Sequence, residues 1–147
     1  MIARTAAPSA KAVLRQATAL RPKRKKASDG LLPSTAHQKQ SPASDHNTGY
    51  AVDLTHDPVN GIDCQDIYEK LQQDKRVKYL IFKGKIWSAQ NGESVYKGIN
   101  QHNKHLHISI KVTAGEDTSP WFPWLGNPTT INKVKAKVKP LPKKENK

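Results

Sequence analysis

The chain has 147 residues, 35% of them hydrophobic, with eight Gly, ten Pro and one Cys. That is one domain's worth of chain, without the cysteines for an internal disulfide or a cysteine zinc cluster and without the 18-residue apolar run of a transmembrane helix. The net charge of +13 sits at the ends: residues 1–28 carry eight Lys/Arg and no acid, residues 133–147 carry seven Lys and one Glu, and −1 is left for residues 29–132.

Basic ends of this kind either attract polyanions, such as nucleic acid, anionic lipid or acidic wall polymer, or act only as solvated tails. The N-terminus lacks the apolar stretch and cleavage site of a secretory signal. Its Arg-rich, acid-free character superficially matches an organelle transit peptide.

In chain order, residues 7–20 have apolar side chains at helical spacing (Val13, Leu14, Ala17, Leu20), with Ser9 as the expected cap. A loop with Gly30, Pro33 and Pro42 follows. "YAVDL" alternates as a short strand, with Tyr50 and Val52 on one face and Ala51 and Asp53 on the other. "DPVNG", 57–61, reads as a turn. Asp63 is the expected N-cap of a helix to about Gln73, with Ile67 and Leu71 as its apolar pair. "VKYLIF", Val77–Phe82, and "KIWS", Lys85–Ser88, form the two arms of a hairpin.

Residues 89–103 read as a polar loop, with His102 on the surface. "HLHISIKV", 105–112, alternates as a strand. "SPWFPWLGNP", 119–128, is either an aromatic lid or a brace over the core. The Lys-rich residues 129–147 are expected to form a disordered tail. Cys64, in a helical context with nothing nearby to activate it, is expected to be a half-buried structural thiol.

The chemistry lies in two stretches, "SDHNTGYAVDLTHD" (44–57) and "KHLHISIK" (104–111). On a strand, His105, His107 and Ser109 share the face opposite Leu106, Ile108 and Ile110. A strand ladder fixes two imidazoles at little entropic cost. With His46 and Asp53, they offer two imidazoles and a carboxylate around an open fourth position, the donor set of a catalytic zinc ion. The remaining histidine is left for acid–base work or for steadying the transition state.

"SDHNTGYAVD" closely resembles the S-x-H-x-x-G-x-A-x-D signature of zinc peptidases of the D-alanyl-D-alanine carboxypeptidase type. With the later H-x-H it also resembles the wider group of lysostaphin-like endopeptidases and the hedgehog fold. "SDG" (28–30), "DKRVKYLIF" (74–82), "IWS" (86–88) and "NKHLHISIK" (103–111) look like a phage-associated branch of that group. The resemblance covers roughly residues 10 to 125.

The resemblance implies an α+β fold in which a small antiparallel sheet carries the metal site between two flanking helices. Residues 29–128 would form the metallopeptidase-like domain. The basic segment 1–28 would contribute a helix packed on it. His46, Asp53 and His107 would hold one Zn²⁺, and His105 would be the catalytic partner. Lys104 stands where the carboxypeptidase branch usually has a glutamate, whereas the H-x-H branch does without that residue.

Other residues keep two readings. Asp45 either orients the His46 ring or is exposed. His56 is either a partner of a ligand or a turn residue. Ser109, Trp87 and Tyr96 either contact substrate or are polar and core residues.

The implied function is a zinc-dependent peptidoglycan peptidase, endolysin-like, cleaving a stem or crosslink peptide. It would be phage-encoded or prophage-derived and would reach the wall from a virion or from the host cytoplasm. The basic tails would contact anionic wall polymer or virion components. The alternative is a non-enzymatic wall-binding or virion module that retains the fold. A third reading, a basic nucleic-acid binder, suits the ends but not the near-neutral centre.

Overall fold

A computed structural model describes residues 5–32, 44–98 and 101–126. His37, whose polar surroundings in the sequence predict a surface loop, and the Lys-rich tail lie outside them. The described chain is α+β. It has helices α1 (Pro8–Leu20) and α2 (Cys64–Lys70) and strands β1 (Ala51–Thr55), β2 (Val77–Phe82), β3 (Lys85–Ser88), β4 (Gly92–Val95) and β5 (His105–Ile110). The strands form one antiparallel sheet in the order β1-β5-β2-β3-β4. No described helix is long and apolar enough to cross a membrane.

Alternation along the strands divides the sheet into two faces. Val52 and Leu54 of β1, Leu106, Ile108 and Ile110 of β5, and Leu80 and Phe82 of β2 face the core. Both helices pack there through Ala10, Val13 and Ala17 of α1 and Ile67 and Tyr68 of α2. The small residues of α1 let its backbone come close to β1. Asp53, His105, His107 and Ser109 are left on the other face.

Two local devices set this register. The β2–β3 turn, Lys83–Gly84, has positive φ at both residues (46° and 78°), the conformation whose twist matches a two-residue hairpin. A bulge between Val77 and Tyr79 throws Lys78 outward, so Val77 and Leu80 both reach the core while Tyr79 lies beside Ser109.

The expected helix caps fare differently. The Asp63 side chain accepts hydrogen bonds from the Gln65 and Asp66 amides, and a 3₁₀ turn carries α2 on to Gln73. Ser9 is not a cap: Ala7 holds that position without a side-chain bond, and Pro8 opens the helix. Ser9 is wholly buried, and its carbonyl accepts the Trp121 indole N–H at 3.0 Å.

The aromatic segment is a brace rather than a lid. Trp121 and Phe122 are core residues. The Arg76 guanidinium lies 3.6 Å from the Trp121 ring centroid and donates to the carbonyls of Ser119 and Pro120. The polar stretch expected to be all loop contains β4, an exposed edge strand hydrogen-bonded to β3.

Candidate metal centre

Three segments bring the polar face together. His46 sits in a 3₁₀ turn, Asp45–Thr48, that ends at Gly49 in the left-handed region (φ 83°). A Cβ at Gly49 would lie 2.9 Å from the Thr5 carbonyl oxygen, so both the backbone angle and the crossing N-terminal segment require glycine. Asp53, at the centre of β1, pairs with His107 of β5 on one side and bridges to Gly30 on the other.

Two imidazole nitrogens converge on one carboxylate oxygen. Asp53 Oδ1 lies 3.2 Å from His46 Nε2 and 3.3 Å from His107 Nδ1. The two imidazole rings meet edge to face at 4.9 Å. Around a tetrahedral ion with ligands at 2.0–2.1 Å, neighbouring ligand atoms lie about 3.3 Å apart. The two contacts to Asp53 Oδ1 match a tetrahedron's edge and are longer than the roughly 2.7–2.9 Å of a charge-assisted hydrogen bond, and all three atoms lie within 4.8 Å of one another.

The tautomer of His46 strengthens the fit. Its Nδ1 is 2.6 Å from the Leu31 carbonyl oxygen, which only accepts, so Nδ1 carries a proton. In the neutral ring, Nε2 then turns a lone pair on a carboxylate oxygen. A cation has to lie between two such acceptors, either a second proton on the ring or a metal ion. Burial lowers the pKa of His46, but the hydrogen bond and charge of Asp53, helped by the Leu31 carbonyl, outweigh it and hold the pKa above the usual value. Burial likewise raises that of Asp53, and the two imidazoles overcome it to keep the carboxyl well below its usual range.

His107 is fixed from the far side. Its Nε2 is 2.8 Å from Ser109 Oγ, and the Tyr79 ring stacks on it at 5.4 Å, with 17° between the planes. Ser109 is fully buried, so its hydroxyl serves the histidine. His105 faces the second carboxylate oxygen, with Nε2 3.5 Å from Asp53 Oδ2. Burial depresses its pKa. The Asp53 charge opposes this and is outweighed, with the neighbouring imidazoles adding to the fall. The lowered pKa favours the neutral ring, whose Nε2 makes no hydrogen bond.

The remaining candidates are spread more widely. The Asp45 carboxylate pairs with Lys78 Nζ at 3.1 Å, and the Leu31 carbonyl, invisible to a side-chain reading, holds the His46 ring. His56 Nδ1 accepts the Cys64 amide at 3.0 Å at the start of α2, and its ring packs edge-on against Phe82. Trp87 pairs with Leu80 and packs on the core, on the opposite face from the histidines.

Tyr96 lies edge-on to His102, with centroids 5.4 Å apart. His102 is buried against His105 and His107 rather than on the surface. Its φ of 58° turns it inward, and its carbonyl accepts the Lys83 amide at 3.0 Å. Cys64 is fully rather than half buried, and burial pushes its thiol pKa up, which suits an inert structural residue.

A groove of about 430 Å³ opens beside Tyr79 on the same face, lined by Lys78, Ile86, Ser88, Asn91 and Ser94. It continues the histidine face across β2, β3 and β4. Comparison with protein-family models, curated proteins and solved structures finds no match to this chain.

Proposed function

We propose that the chain is a zinc-dependent peptidase acting on the peptide part of peptidoglycan, with a fold of the hedgehog and D-alanyl-D-alanine peptidase kind. The observation that carries this reading is the convergence of His46 Nε2 and His107 Nδ1 on Asp53 Oδ1 at tetrahedral-edge spacing. A partly buried histidine, His105, faces the other oxygen of the same carboxylate.

His46, Asp53 and His107 would hold the ion. A zinc ion supplies Lewis acidity and brings the pKa of water to about 7. The protein residues supply the rest. Asp53 balances charge. Leu31 and Ser109 keep both imidazoles in register by holding their far nitrogens. His105 takes the proton from the attacking water and passes it to the leaving amine, a role worth about 10²–10⁴-fold. Lys104 is exposed, and its position offers no carboxylate for that task. The polar groove beside Tyr79 suits an extended peptide, whose backbone the Ser88, Asn91 and Ser94 side chains would hydrogen-bond. The basic ends would hold the protein on anionic wall polymer or virion components.

The test is mass spectrometry of muropeptides released from purified peptidoglycan, with and without a chelator. New peptide termini that vanish on chelation, and in His46→Ala, Asp53→Ala and His107→Ala, are the expected result. Undiminished release by any of these variants contradicts the reading.

A further inference from the structure

The Asp53 carboxylate has a second working side. Oδ1 faces His46 and His107, whereas Oδ2 faces His105. His105 Nε2 is buried, and at 3.5 Å from Oδ2 it makes no hydrogen bond. The His102 ring stands edge-on to that of His105, with centroids 4.9 Å apart. One ligand atom from each of Asp53, His102 and His105 lies within 4.8 Å of the other two. His102 reaches this position only through a left-handed backbone (φ 58°), costly for a residue with a side chain and tolerated where the surroundings impose it.

We propose that Asp53, His102 and His105 form a second divalent-cation site, with Asp53 bridging the two sites through its separate oxygens. The donor set of two imidazoles and one carboxylate oxygen suits zinc and its neighbours in the first transition row. This second site is the weaker. Its His105–Asp53 spacing is longer than the contacts at Oδ1, and two dications would share a single carboxylate charge and repel each other. Its occupation ties up the His105 lone pair. On the peptidase reading, on which this last step rests, excess zinc therefore inhibits by removing the proton acceptor.

The experiment is calorimetric titration of Zn²⁺ into the metal-free full-length protein, repeated with Co²⁺ and followed by its visible absorption. Wild type should take up two ions, the second roughly tenfold or more weaker. His102→Phe should keep the first event and lose the second. His105→Gln, which leaves His102 and its backbone turn in place, should do the same and serves if His102→Phe does not fold. A single event in wild type, or two events in either folded variant, overturns the proposal. Two binding events, with no muropeptide released by protein carrying a single equivalent of zinc, would sink the peptidase reading and leave this one standing. One ion bound with release intact would do the reverse.

Discussion

Ser109 Oγ and His107 Nε2 lie 2.8 Å apart, two residues from each other on the same face of β5, and both side chains are buried. The strand repeat makes this contact possible, because residues i and i+2 point the same way. It fixes the ring flip of His107, so that Nδ1 rather than Nε2 faces Asp53. The expected outcome for Ser109→Ala is a loss of zinc affinity of about 10–100-fold with the far-UV circular dichroism spectrum unchanged. Zinc competition against a chromophoric chelator checks it. Unaltered affinity would mean that Ser109 does not orient the ligand.

Proton and metal compete for the same gap at His46. In the metal-free protein its pKa is raised above 6.5. The stability gained from that proton is complete below the unfolded value and disappears as pH rises through the folded one. Asp53 behaves oppositely. Its pKa is lowered from 3.8, so its contribution is present above that value and is lost as pH falls. In the metal-free protein the His46–Asp53 contact should therefore contribute most between about pH 4 and 6.5 and should fade above neutrality, where a bound ion replaces the proton. Thermal unfolding from pH 5 to 9, with and without zinc, should show a gain in Tm from zinc that grows with pH. A gain that is flat or shrinks with pH would contradict this account of the His46–Asp53 contact.

Strands β2, β3 and β5 and the Asp63 cap were legible because each has a local cause: an apolar or alternating run, or a capping side chain. Three features lacked such a signal. β4 is exposed throughout, with Val95 its one large apolar residue, so its strand character comes from hydrogen bonds to β3. Ser9 has a capping residue's chemistry, but Pro8 starts the helix one residue earlier and Trp121, 112 residues away, claims its carbonyl. His102 turns inward through a backbone angle that its residue type rarely adopts. The Leu31 carbonyl that holds His46 has no sequence signature, since every residue supplies a carbonyl. The convergence of His46, Asp53 and His107 was expected from spacing and resemblance, whereas the groups that orient them depended on tertiary contacts.

Gly49 links the N-terminal segment to the ligand turn. Its carbonyl accepts the Ala7 amide at 2.9 Å, and a Cβ would press on the Thr5 carbonyl. Gly49→Ala should destabilise the protein by about 1–3 kcal/mol from the left-handed backbone angle, with the steric contact adding to that. Zinc affinity should fall as well, because the strain is released by moving His46. Denaturant unfolding together with zinc titration measures both effects. A variant as stable as wild type would show that the N-terminal segment does not brace this turn.

The most direct test of the metal centre is X-ray absorption at the zinc edge, on full-length protein loaded with one equivalent of Zn²⁺ and desalted. The expected spectrum shows four light ligands at about 2.0–2.1 Å, with the outer-shell scattering of two imidazoles that is lost in His46→Ala and His107→Ala. Zinc that washes out on desalting, or is retained in an oxygen-only shell without imidazole scattering, would contradict a centre built on His46, Asp53 and His107.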